Sequence, residues 1–292
     1  MNARLISECR LALTGAALAT LLLATPAGAQ MWRLEKHFSV DGKPVVILQN
    51  PSGHIQVKAW DKHEVMIVAQ FAGSKTEVDT EQVANRIEVS TQAADAASSA
   101  PEDSSADLIV SVPTETELQV HTDSGNVTID SVHGNMSFDT VAADLALQDV
   151  DGYMMIKSIG GSLVCTRCSG RLDANSISGN VQLLQPTLDN VRVQTSSGNI
   201  LFDGSFLSRG IYVLKNYSGT IEVRFSKADS FDVSASSLYG HVVNQAPVVA
   251  DRHNMPAPKY NMAQSLFGSV NDGHAKVELS SFSGTIKILK RD

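Results

Sequence analysis

Between residues 125 and 184 the chain repeats one short pattern of apolar and polar positions. Glycines stand at 125, 134, 152, 161, 170 and 179, nine or eighteen residues apart, and Ala143 fills the one missing place. Two residues beyond each place come Val127, Met136, Leu145, Met154, Leu163, Leu172 and Val181. Four beyond come Ile129, Phe138, Leu147, Ile156, Cys165, Ala174 and Leu183. Seven beyond come Val132, Val141, Val150, Ile159, Cys168 and Ile177. The intervening places are mostly polar, and this alternation is the period of a half-buried strand. The seventh place lies past the strand, and its apolar character predicts a residue turning inward at a corner. The glycine supplies the backbone freedom that a tight corner needs.

A nine-residue unit cannot bury its own apolar face, but stacked copies share a continuous core. Two units make one coil of strand, corner, strand and corner. Later glycines at 198, 219 and 240 stretch the spacing to 19 and 21 residues; the signature returns at 273 and 284 and has a forerunner at Gly53. The pattern predicts an all-β fold, a β-solenoid like a parallel β-helix, with stacked coils of about 18–21 residues. An antiparallel β-sandwich is the alternative, although hairpins do not require the same inward pattern in unit after unit.

Interruptions divide the chain into a leader at 1–29, an N-terminal β region at 30–121 and a β-strand repeat region at 122–292. Residues 90–107 are low in complexity and read as a loop. The stretch 76–89 reads as one short helix before a strand. Residues 244–265 carry three prolines and read as a surface insertion.

The leader has Arg4 and Arg10, a 14-residue apolar run at 11–24, and the small-residue site Ala27-Gly28-Ala29. This is the layout of a secretory signal peptide cleaved between Ala29 and Gln30. The apolar run is short for a membrane span, and the expected mature chain has no transmembrane segment. The expected location is outside the cytoplasm: periplasm, outer surface or medium. The whole chain has 23 basic and 31 acidic residues; losing Arg4, Arg10 and Glu8 leaves 21 and 30, a charge of −9. Such an acidic chain, with no basic run, does not read as a nucleic-acid binder.

Two longer stretches resemble a known family. "ILQNPSGHIQVKAWDKHEVMIVAQ" at 47–70 carries an N-P-x-G-x-I-x-V-x-x-W opening, and "DLIVSVPTETELQVHTDSGNVTIDSVHGNMSFDT" at 107–140 places "VP" before an L-x-V-x-T strand and serial S-G-x-[IV] turns. In this order they resemble the bacterial putative-adhesin family of β-strand-repeat proteins, named for a domain of unknown function. The resemblance covers nearly all of the mature chain. It implies an exported or envelope-associated β-repeat domain and supplies no catalytic residue.

Candidate chemistry is sparse. Cys165 and Cys168 form a C-x-x-C, but they occupy places that are apolar in every other unit. Cys9 leaves with the leader, so these two are the only mature cysteines. Export favours a disulfide; two buried thiols are the other reading. A redox role wants a helix N-terminus, and zinc wants further ligands nearby. His54, His241 and His274 follow corner glycines in the slot held elsewhere by Asn126, Asn135, Asn180 and Asn199, which marks a polar turn position. The outward residues should form two columns, Asp130-Gln148-Thr166-Leu184 and Asp139-Lys157-Asn175, and neither holds the carboxylate pair of a polysaccharide-cleaving site. No catalytic, metal or cofactor-binding residue is assigned. The expected function is therefore an exported, non-catalytic, adhesin-like module that presents a surface to a protein or glycan of the envelope. A polysaccharide-active enzyme on a β-helix scaffold and an envelope-stress sensing module are the alternatives.

Overall fold

The structure is a computed structural model, and it describes residues 31–72, 75–95, 104–249 and 264–291. The leader with its Ala29–Gln30 site, residues 96–103 of the low-complexity stretch and residues 250–263 of the 244–265 insertion lie outside the described residues. The chain forms β1 (Met31–Ser39), β2 (Val45–Gln49), β3 (His54–Trp60), β4 (Glu64–Ala72), β5 (Thr76–Val83), β6 (Arg86–Ala93), β7 (Ala106–Pro113), β8 (Glu117–Asp130), β9 (Met136–Gln148), β10 (Asp151–Ser158) and β11 (Leu163–Thr166). It continues with β12 (Ser169–Ser176), β13 (Val181–Leu184), β14 (Thr187–Ser197), β15 (Ile200–Asp203), β16 (Ile211–Ser218), β17 (Thr220–Phe225), β18 (Phe231–Ser237), β19 (His241–Asn244), β20 (Ser265–Val270), β21 (Ala275–Ser281) and β22 (Thr285–Lys290).

These strands build a β-solenoid. Parallel neighbours in the regular region are one coil apart: Ile156 pairs with Ala174, and Leu163 with Val181. The coil then lengthens, so that Val181 pairs with Ile200 and Ile200 with Ile221. One face stacks β6, β2, the first half of β8, the first half of β9, β10, β12, β14 and β16. The other stacks β7, β3, the second halves of β8 and β9, β11, β13, β15 and β17. Position 121–122, the expected division between regions, falls within the continuous strand β8. Alternate side chains of both faces, from Val46 to Ile288, meet in one hydrophobic core. The register realises both outward columns read from the sequence.

Stacking order departs from chain order at both ends. The first coil, β2–β3, lies between the β6–β7 layer and β8. The last coil, β21–β22, inserts between β16–β17 and β18–β19. Antiparallel strands close the ends: β5 on β6, β4 on β7 with β1 beyond, and β20 on β18. Covering an edge in this way limits edge-to-edge association.

The expected helix at 76–89 is instead the hairpin of β5 and β6, turning at Ala84-Asn85 with Ala84 at φ 53°. Thr76, Val78 and Thr80 turn toward the protein while the residues between them are more exposed, and this two-residue period defeats a helix.

The two corners of a coil differ, which corrects the expectation that the whole seventh column points inward. At one corner a single left-handed residue, Ser131, Asp149, Arg167 or Gln185, reverses the chain (φ 50–61°). The next residue, Val132, Val150, Cys168 or Pro186, is buried. At the other corner the inward place is already taken by Thr140, Ser158 or Ser176, so Val141, Ile159 and Ile177 face solvent.

That second corner is packed backbone on backbone. A Cβ on Gly161 would lie 2.1 Å from the Ala143 carbonyl oxygen, and one on Gly179 2.1 Å from that of Gly161. Gly161 also has φ +83°, whereas Gly179 needs no positive φ, so close approach is the common requirement.

Candidate functional site

A groove of about 670 Å³ lies on the outer surface of β16, β21, β18 and β20. It exists where the final coil has been intercalated. Outward alternation along β16 supplies Ile211 and Val213, and β20 supplies Phe267 opposite them; these give an apolar floor. Asp232 and Ser234 come from β18, and Lys276 and Glu278 from β21.

The groove is rigidly supported. Tyr212 contributes backbone to the floor while its ring is buried beneath, edge-on to Phe202 and Phe206. Its hydroxyl donates to the Leu188 carbonyl oxygen and accepts from the Leu207 N–H, both at 2.8 Å. Burial pushes the Tyr212 phenol up to about 12, so it stays protonated. Buried Asp229 accepts from the N–H groups of Ser226 (2.6 Å) and Phe206 (3.3 Å), which fixes the adjoining loop. Gly268 admits residue 249 against β20: Val249 and Ser269 exchange backbone hydrogen bonds at 2.9 and 3.0 Å, and a Cβ on Gly268 would strike the Val249 oxygen.

Charges of both signs line the rim. Glu278 pairs with Lys215 at 2.7 Å, and Asp232 accepts from the Ser269 hydroxyl at 2.6 Å. Lys276 has no ion-pair partner among the described residues. An apolar floor with a few fixed polar groups can hold a ligand by area and orient it by hydrogen bonds.

The residues singled out in the sequence lie elsewhere. Cys165 and Cys168 are joined by a disulfide, with Cα atoms 6.0 Å apart, across the corner at Arg167. Both are fully buried, with Cys168 in the inward column between Val150 and Pro186. His54, His241 and His274 sit in separate coils, and among the described residues no three His, Cys, Asp or Glu side chains gather as a metal site. The slot that these histidines share with Asn has a structural role: Asn180 Oδ1 accepts from the Asn199 N–H (3.0 Å), and Asn199 Oδ1 from the Thr220 N–H (2.8 Å). Two neighbouring carboxylates, Asp203 and Glu222, are engaged by Arg224 at 3.4 and 2.6 Å.

Sequence reasoning missed the groove, because its lining comes from strands brought together out of chain order. It also missed a readable signal at the second corner. Three residues before each corner glycine stands a small polar residue: Asn50, Thr122, Ser158, Ser176, Thr195, Asn216, Ser237 and Ser281. Ser281 Oγ accepts from the Gly284 N–H at 2.8 Å, and Ser237 Oγ from the Gly240 N–H at 3.1 Å while donating to the Gly284 oxygen at 2.7 Å. At these two corners the hydroxyl satisfies backbone groups that the strands leave unpaired, whereas Ser176 Oγ and Thr195 Oγ1 are buried without a hydrogen-bond partner among the described residues.

The sequence profile described as Toastrack DUF4097 matches residues 38–289. The chain belongs to the Toastrack DUF4097 family. The family resemblance seen in the sequence is thereby borne out, and the Toastrack domain takes in the regular coils, the intercalated coil and the groove. Two solved structures are similar to it. A putative cell adhesion protein from Clostridium sporogenes ATCC 15579 shares 9% identity at a TM-score of 0.30, covering 90% of this chain and 100% of that one. A putative adhesin from Bacteroides fragilis NCTC 9343 shares 11% at 0.41, covering 88% and 97%. No curated protein matches the sequence significantly. Among the described residues no helix of the Toastrack domain is long and apolar enough to cross a membrane.

Proposed function

We propose that this Toastrack protein is an exported, non-catalytic binding module of the cell envelope, adhesin-like in its work, which engages an envelope protein or glycan through the C-terminal groove. One observation carries the reading: a groove of about 670 Å³ with an apolar floor and charges of both signs at its rim. The leader at 1–29 supports export, to the periplasm, the outer surface or the medium.

The test is binding of the mature chain to envelope fractions of its own source cell, with glycan and protein fractions assayed separately. Val213→Asp and Phe267→Ala should each abolish retention, and Arg171→Ala, on a distant coil, should not. Equal retention of all variants would contradict the groove. Release of new reducing ends from the glycan would contradict the non-catalytic reading.

A further inference from the structure

The second corner of the solenoid carries a continuous exposed apolar ridge. Consecutive coils place Val141, Ile159, Ile177, Ser196, Tyr217, Phe282 and Leu238 one above another, next to the buried polar column. The intercalated coil supplies Phe282, whose ring stacks on Tyr217 at 4.3 Å. Apart from Ser196 the exposures are 41%, 52%, 54%, 57%, 38% and 44%, in that order. At about 4.8 Å per coil the ridge runs roughly 29 Å. These side chains expose several hundred Å² in one strip, the scale at which an apolar patch marks an interaction surface.

We propose that this ridge is a homodimer interface, in which two copies pack ridge to ridge and antiparallel about a two-fold axis at Ser196. The ridge is self-complementary only in that sense. Its aliphatic half is low and its aromatic half is tall. Antiparallel pairing sets Ile177 against Tyr217, Ile159 against Phe282 and Val141 against Leu238, while Ser196 meets its own copy. Each rung then joins a large side chain to a smaller one, and the interface keeps an even thickness.

The flanks agree. Beside the ridge on one face run Asp139, Lys157, Asn175, Gln194, Lys215, Ser280 and Ser236. Antiparallel pairing opposes Lys157 to Ser280, Lys215 to Asn175 and Asp139 to Ser236, so no like charges meet. On the other face it opposes Asp144 to His241. Parallel pairing would instead set each ridge residue against its own copy, Tyr217 on Tyr217 at one level and Val141 on Val141 at another, and the interface would lose its even thickness. With these polar flanks the contact approaches the roughly 800 Å² per partner of a standard interface. A C2 pair of this kind is closed and does not propagate into fibres.

Sedimentation of the mature chain over a wide concentration series tests the interface, and cysteine cross-linking tests its sense. The wild type should sediment as a dimer. Ile159→Glu should be a folded monomer with an unchanged melting temperature, its association weakened about a hundredfold or more because the charge would be buried against Phe282 of the other copy. Ser196→Cys should cross-link to itself and Ile159→Cys alone should not, whereas Ile159→Cys with Phe282→Cys in one chain should. A monomeric wild type, or a dimer that survives Ile159→Glu, would overturn the proposal. Efficient cross-linking of Ile159→Cys alone would overturn the antiparallel arrangement.

Discussion

At the scale of single residues the solenoid is governed by which side of the backbone each side chain takes. Ile156 is buried and Lys157 beside it is exposed, so Ile156→Asp strands a charge in the core and should cost about 3 kcal/mol or more. Lys157→Asp should stay within about 0.5 kcal/mol. Thermal melts of the two variants check the register. The glycines separate in the same way. Gly161→Ala drives a Cβ into the Ala143 carbonyl and should cost about 3 kcal/mol or more. Gly42→Ala meets open space at φ +68° and should cost about 1 kcal/mol.

The C-x-x-C corner gives two further residue-level expectations. The disulfide closes a very short loop, so its contribution lies low in the roughly 0–5 kcal/mol range, and Cys165→Val with Cys168→Val should fold. Denaturant melts should place that double variant within about 2 kcal/mol of wild type. Arg167, between the cysteines, donates from Nε and Nη2 to the two carboxylate oxygens of Asp149, each at 2.6 Å. This hydrogen-bonded pairing holds the Asp149 carboxyl below its ordinary value of 3.8. A lowered carboxylate pKa stabilises the fold above 3.8, and the contribution is lost as pH falls through the lowered value. Both groups are at the surface, so the effect is small and screened by salt. Arg167→Gln should therefore melt slightly below wild type at neutral pH, and the gap should close in acid.

At the scale of elements, the regular coils from Gly125 to Leu184 were legible because every inward place repeats one apolar pattern. The stretch 76–89 was misread because the inward face of β5 is built from Thr76 and Thr80 as well as Val78, and its apolar signal is faint. The outward Val141, Ile159 and Ile177 were misread because hydrophobicity alone does not separate a core corner from an exposed ridge. The inward-turned Thr140, Ser158 and Ser176 one place earlier mark the exposed corner in the structure, but the Ser131 before buried Val132 hides that signal in the sequence. Intercalation of β21–β22 was not legible at all, since β18–β19 and β21–β22 have equally good solenoid patterns. It has a measurable consequence. The chain's last strands are interior to the stack, so their amides should resist hydrogen exchange as strongly as those of β16 and β17. The edge strand β19 should exchange faster.

At the scale of the whole molecule, one rearrangement produces both interaction surfaces. Placing the last coil inside the stack brings Lys276 and Glu278 into the groove and Phe282 between Tyr217 and Leu238 on the ridge. An antiparallel pair would carry its two grooves at opposite ends, a spacing suited to bivalent attachment on an extended partner. Both proposals therefore rest on the order of the coils. That order is tested most directly by paired cysteines at outward positions of β16, β21 and β18, since a disulfide forms only when Cα atoms lie about 4.4–6.8 Å apart. Lys215 and Ser280 are direct neighbours on adjacent parallel strands, and Ser236 lies one strand farther on. Lys215→Cys with Ser280→Cys should oxidise to an intramolecular disulfide, and Lys215→Cys with Ser236→Cys should keep two free thiols. The reverse result would mean that the coils stack in chain order, and it would contradict the account.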